Sequence, residues 1–157
     1  MKKFVIGLVI VMSVLIVGAV YLYSQSTQSY SRAKSDTIAF VAERTNLSEV
    51  DEFFWFNGEE TYFTITGTNE DGEERIYIVQ QQGGQILTLS AESTISKQEA
   101  IQQTRQARQP QKILNARIGM LDGTPVWEVS YRNDNDRLGY YVINLRNGEW
   151  IRTIDNI

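Results

Sequence analysis

The 157 residues, 42% of them hydrophobic and 22% charged, with a net charge of −4, make a globular mixture with room for about one ordinary domain or two small ones. Neither cysteine nor histidine occurs. Disulfides, thiolate metal sites, a cysteine nucleophile and a lipoprotein anchor are therefore excluded, as is the side chain that most often acts as general base or metal ligand at neutral pH.

Phe4 to Tyr23 is a run of 20 residues without a charge, long enough as a helix to cover about 30 Å of hydrocarbon. Lys2 and Lys3 precede it and no Lys or Arg follows until Arg32. The positive-inside bias then leaves residues 1–3 in the cytoplasm, spans the cell membrane once with residues 4–23, and puts residues 24–157 outside, with Tyr21 and Tyr23 at the outer interface. The competing reading is a cleaved signal peptide, whose apolar core spans about 7 to 15 residues and ends at a small-x-small site; Ser24-Gln25-Ser26 is the one tolerable match. Both readings deliver the rest of the chain to the same side. Residues 24–31, SQSTQSYS, read as a linker or as a continuation of the membrane helix.

Beyond them lies an internal repeat. Gly58 pairs with Gly123, Tyr62 with Trp127, Asn69 with Asp134, Asp71 with Asp136, Ile76 with Tyr141, Ile78 with Ile143, and Gly83 with Gly148, all at an offset of 65. Asn57-Gly58 and Asp122-Gly123 are two-residue hairpin signals, because both central positions of a type I′ turn take positive φ. Gly83-Gly84 and Asn147-Gly148 supply a second turn in each half. Between the turns lie β-branched and aromatic runs: Glu60 to Thr66 and Glu74 to Gln80, then Pro125 to Arg132 and Leu138 to Leu145. Asp51 to Phe56 and Ile113 to Leu121 precede them, and Gln85 to Ser90 and Glu149 to Ile154 close them. Ser96-Lys97-Gln98-Glu99 is a capping box opening a helix that Pro110 stops; Ala33, Ile38, Val41 and Ala42 form a less regular stripe ahead of the first half. The predicted fold is α+β, with units at 32–92 and 93–157, each one helix and an antiparallel sheet. Trp127 and Ile143 are predicted to be buried. One feature resists duplication: Phe63 and Ile65 alternate one residue out of phase with Trp127, Val129 and Tyr131, which requires a local bulge or a strand covered on both faces.

These features, a Lys-Lys start, a single apolar segment and two consecutive helix-plus-sheet units with NG, DG and GG turns, resemble the TseB-like (YpmB) proteins. The exterior of that family consists of tandem PepSY-like domains of cystatin-like fold. The resemblance covers nearly the whole chain and rests on length, order and repeat. It implies a regulator of cell-wall elongation in low-GC Gram-positive bacteria, acting beside membrane-bound peptidoglycan synthases of the penicillin-binding type, with no catalytic motif and no cofactor. The alternatives are a PepSY-type inhibitor or chaperone of an extracytoplasmic protease, and a wall hydrolase.

Catalytic and metal motifs are weak. Ser31-Arg32-Ala33-Lys34 matches S-x-x-K, but no distant S-D-N or K-T-G accompanies it. Asn133-Asp134-Asn135-Asp136 departs from a calcium loop at Leu138 and Leu145, so a hydrated turn is the better reading there and at Asn69 to Glu74. Residues 24–92 carry 4 basic and 12 acidic side chains, net −8, and residues 93–157 carry 9 and 7, net +2. This polarity draws the halves together, leaves them separately solvated, or presents a two-signed surface to a protein partner; the net −6 of residues 24–157 disfavours nucleic acid and anionic wall polymer. The run Phe53-Phe54-Trp55-Phe56 sends alternate rings to opposite faces of a strand, one pair into the core and the other against the second unit or a partner. Phe54, Trp55 and Phe56, with Arg105, Arg108 and Lys112, are thus the candidate partner-binding residues, and no catalytic, metal or cofactor residue is assigned.

Overall fold

The structure, a computed structural model, describes the backbone of residues 2–157 and the side chains of 12–16, 18 and 28–157. Helix α1 (Lys2–Ala42) is followed by β1 (Leu47–Asn57), β2 (Thr61–Asn69), β3 (Glu74–Gln80) and β4 (Ile86–Ser90). A single 3-10 turn, Ala91–Ser93, leads to α2 (Lys97–Arg108), β5 (Lys112–Leu121), β6 (Thr124–Arg132), β7 (Leu138–Asn144) and β8 (Trp150–Ile154). Residues 24–31 are helical, within α1. Most side chains of the expected membrane span, with Lys2, Lys3, Tyr21 and Tyr23, lie outside the described residues, and among the described residues no helix is long and apolar enough to cross a membrane. The chain divides into two compact units, Met1–Asp36 and Thr37–Ile157.

Within the second unit two antiparallel meanders stand side by side, sheet A in the order β1-β2-β3-β4 and sheet B in the order β5-β6-β7-β8. The repeat is real, but its offset is not 65. Asn69 N donates to Glu73 O and Gln80 N to Gln85 O, as Asn133 N donates to Arg137 O and Asn144 N to Glu149 O, which sets 64 residues between equivalent positions from β2 to the closing turn. In the helices and first strands the offset is 63. The β1 ladder slips between Val50 and Glu52 and the β5 ladder between Ile113 and Asn115, while Thr37 and Val41 are buried where Ala100 and Thr104 are. Phe40 lies 3.0 Å from a Cβ built on Gly84, as Gln103 lies 2.6 Å from one on Gly148, so Gly84, not Gly83, is the partner of Gly148.

The expected equivalence of Gly58 and Gly123 fails for a physical reason. β5 and β6 pair as far as Leu121 and Thr124 and turn on Asp122 (φ 48°) and Gly123 (φ 73°), the two positive φ values of a type I′ turn. β1 and β2 stop one pair earlier, at Asn57 and Thr61, and close through Gly58 to Glu60 with Gly58 N donating to Glu60 O. The apparent phase conflict disappears with the corrected offset. Phe63 is equivalent to Trp127 and Ile65 to Val129, all four buried.

Capping fixes α2. Ser96 Oγ accepts from Glu99 N at 3.2 Å and Glu99 Oε2 accepts from Ser96 N at 2.7 Å, which holds the Glu99 carboxyl below its usual range. Gln109 ends the helix at φ 45°, and Pro110 follows, unable to continue it.

The four consecutive aromatics of β1 part as strand alternation requires. Phe53 stacks on Phe63 at 5.9 Å between ring centroids, and Trp55 meets it edge to face at 5.2 Å. Phe54 and Phe56 go to sheet B. Phe54 meets Trp127 edge to face at 5.8 Å, while Phe56 packs with Leu121, Val126 and Val142. Trp127 and Val126 are neighbours on one strand and point to opposite faces, so the two rings straddle edge strand β5. Thr64 Oγ1 donates to the Ile118 carbonyl of β5 at 3.2 Å. A Cβ at Gly119 would fall inside the Phe56 ring. Gly119→Ala should therefore cost about 1 to 3 kcal/mol through overpacking, read as a lower urea midpoint; an unchanged midpoint would refute this placement of Phe56.

Candidate functional site

The structure disperses the sequence-predicted partner-binding residues. Phe54 and Phe56 are buried between the sheets, at 8% and 1% exposure; Phe56 presents no surface to a partner, and Phe54 is reached only from the cleft that it lines. Trp55 is half-buried, its Nε1 donating to Asn57 Oδ1 at 2.7 Å. Arg108 is engaged: Nε donates to the Tyr131 hydroxyl at 3.1 Å, and the guanidinium pairs with Asp155, which also accepts from Tyr131. Burial pushes the Tyr131 phenol up, helped by Asp155. This cluster ties the end of α2 to the segment after β8. Lys112 starts β5 and is not on the helix. It and Arg105 are brought together around a shallow hollow with Gln109, Pro110 and Ile113. Among the described residues neither makes an ion pair.

The other sequence motifs are spent on structure. Ser31 and Lys34 are exposed on α1. Asn69 Oδ1 accepts the amides of Asp71 and Glu73, and Asn133 Oδ1 those of Asn135 and Arg137, so both acidic loops are closed by asparagine side chains. Among the described residues no cluster of acidic side chains could hold a metal ion.

A cleft of about 320 Å³ lies where the repeats meet. Its floor is apolar, formed by Phe54 and Ile76 of sheet A, Ile118 and Trp127 of sheet B, and Ile95 ahead of α2. Trp127 is fixed by its Nε1 donating to the Ile95 carbonyl at 2.9 Å. The rim is charged. Lys97 Nζ reaches both carboxylate oxygens of Glu52 at 2.9 Å, and Arg75 pairs with Glu73. Asp51 and Glu74 line the same cleft, and among the described residues neither has an ion-pair partner. Gly67 sits against the bulge of β1, where a Cβ would strike the Glu49 carbonyl. Two of the amides at the start of α2, those of Ser96 and Glu99, are already taken by the capping box. The arrangement offers apolar burial and carboxylates to a ligand, with no activated nucleophile. Sequence reasoning missed the cleft. Lys97 was the available signal, since a cation in the first turn of a helix opposes the macrodipole and needs another reason to be there.

Residues 36–80 match the model of the cell wall elongation regulator TseB-like domain, and residues 94–153 that of the peptidase propeptide and YPEB (PepSY) domain. The chain is similar to the TseB-like family in its first repeat and to the PepSY family in its second. It is 22% identical over 147 residues to the "Probable cell wall elongation regulator TseB" of Bacillus subtilis (strain 168), an alignment spanning 93% of this chain and 91% of that protein. The solved structure of the YpmB protein from Bacillus subtilis superposes with a TM-score of 0.70 at 21% identity, covering 77% of this chain and 95% of that one, which shows a shared fold. The two matches begin at the last turns of α1 and at the approach to α2; the first ends with β3, short of β4, and the second runs into β8.

Arg108→Ala removes the guanidinium from both the Tyr131 hydroxyl and Asp155, leaving them only each other, and should lower stability by about 1 to 3 kcal/mol. Arg105→Glu with Lys112→Glu should stay within about 0.5 kcal/mol per site. Thermal unfolding of the three proteins checks the contrast; equal losses would contradict it.

Proposed function

We propose that this chain is a non-enzymatic, membrane-anchored extracytoplasmic binding module that regulates cell-wall elongation through contact with a membrane-bound peptidoglycan synthase of the penicillin-binding type. The observation that carries the reading is the alignment over 93% of the chain with a relative named as a probable cell wall elongation regulator. The chemistry agrees with binding: a chain without histidine or cysteine, and a cleft whose floor is apolar and whose Glu52 is held in an ion pair. Membrane attachment is supported by the uncharged run 4–23 and by Met12, Val14, Leu15 and Ile16 within it, all exposed, a patch that suits hydrocarbon better than water. Confinement to one bilayer raises the effective concentration of an equally anchored partner, so a weak interface suffices.

A second reading, an inhibitor or chaperone of an extracytoplasmic protease, is favoured by the match of residues 94–153 to the peptidase propeptide and YPEB domain. In-cell crosslinking of the full-length chain should capture a penicillin-binding synthase, and a secreted form lacking residues 1–23 should restore a deletion strain poorly. Full restoration by the secreted form, with proteolysis slowed and wall synthesis unchanged, would replace the first reading with the second.

A further inference from the structure

Lys97 occupies the mouth of the junction cleft in an unusual way. It is the first residue of α2, where the helix dipole disfavours a cation, and its position is set instead by the other repeat. Its ammonium lies 2.9 Å from both Glu52 oxygens and 5.7 Å from the centre of the Phe54 ring, a carboxylate and an aromatic face that together make a site for an ammonium or guanidinium group. Asp51 and Glu74 add two carboxylates with no ion-pair partner among the described residues, beside a floor that includes Ile76 and Trp127. The first repeat, net −8 over residues 24–92, extends the same field. An anionic ligand meets less, because the two cations of the cleft, Lys97 and Arg75, are each paired with a carboxylate and the Ser96 and Glu99 amides are taken by the capping box.

We infer that the junction cleft docks an extended segment of a protein partner bearing a lysine or arginine next to a large apolar side chain, and that Lys97 stands in for that cation until it is displaced. The inference rests on the reading that the chain acts by binding a protein. The Lys97–Glu52 pair is half-exposed, with side-chain exposures of 41% and 46%, and such pairs are worth only about 0 to 1 kcal/mol, so a partner's cation displaces Lys97 at small cost. The cleft volume of about 320 Å³ falls at the lower end of ligand-site volumes, about 300 to 1,000 Å³, and suits one apolar side chain and its neighbour.

The test uses the full-length chain in mild detergent, with the indole N–H signal of Trp127 assigned by Trp127→Phe. The probes are acetyl-alanyl-lysyl-phenylalanyl-alanyl-amide and its glutamyl counterpart. The lysyl peptide should shift the Trp127 signal saturably, and the glutamyl peptide should not. Lys97→Met should tighten lysyl-peptide binding, and Glu52→Gln should weaken it, each by about three-fold, within the scale set by an exposed ion pair. The rest of each amide spectrum reports that the fold is intact. No saturable shift, equal binding of the two peptides, or unchanged affinity in Lys97→Met would overturn the inference. Absence of peptide binding with partner capture in cells preserved removes this cleft and leaves the protein-binding function standing; peptide binding without any captured protein does the reverse.

Discussion

Strand β5 has an edge that must be covered, and the fold depends on how sheet A covers it. An open strand edge presents unpaired backbone groups and invites foreign pairing. Here Thr64 donates to the Ile118 carbonyl, Phe54 reaches one face of sheet B at Trp127, and Phe56 reaches the other. Gly119 is required at the crossing point because only a residue without a side chain lets the Phe56 ring lie on the backbone, and the Arg117 guanidinium, 5.3 Å from the ring centre, closes over it. A repeat of about 65 residues buries too small a share of its surface to be secure alone. The seam merges two such repeats into the single compact unit Thr37–Ile157.

Duplication explains the parts, and departures from it explain the site. Each repeat keeps its helix, its bulge one strand later, and its asparagine-closed loop. The repeats differ where they meet. In sheet A the face with Phe54, Thr64 and Ile78 turns toward sheet B, while the opposite face carries Phe53, Phe63 and Ile65. In sheet B the equivalents of that opposite face, Trp127 and Val129, pack with Ala100 of α2 and with Phe54. The unequal use of the two faces leaves the cleft between β1, β3 and the start of α2, and places a basic residue of one repeat against an acidic residue of the other. Of the described ion pairs, Lys97 with Glu52 alone joins the halves, so the charge asymmetry between the repeats is mostly left on the surface.

Local chemistry was readable in the sequence. The Ser96 to Glu99 box, the order of the strands, the Asp122-Gly123 turn and the burial of Trp127 and Ile143 all follow from spacing and residue type, whereas β1 starts four residues before its expected position, at Leu47. The repeat offset was misread because it was anchored on turn glycines: Gly83 and Gly84 both adopt positive φ, and the hydrogen-bond ladder, not the glycine, decides which one matches Gly148. The destination of Phe54 and Phe56 was one of two readings that strand alternation left open. The roles of Arg108 and Lys97 were illegible for a simpler reason. Their partners lie 47 and 45 residues away in sequence, and no periodicity records which cation meets which carboxylate at that distance along the chain.

The central claim is that the covered edge of β5 makes the two repeats one cooperative structure. Amide hydrogen exchange of the full-length chain, compared with Phe56→Ala, tests it most directly, since the truncation should remove about 3 to 5 kcal/mol from whatever unit the ring belongs to. The account predicts that the slowest amides of β2, β3, β6 and β7 lose protection by the same factor. Loss confined to sheet A, with sheet B unchanged, would contradict it.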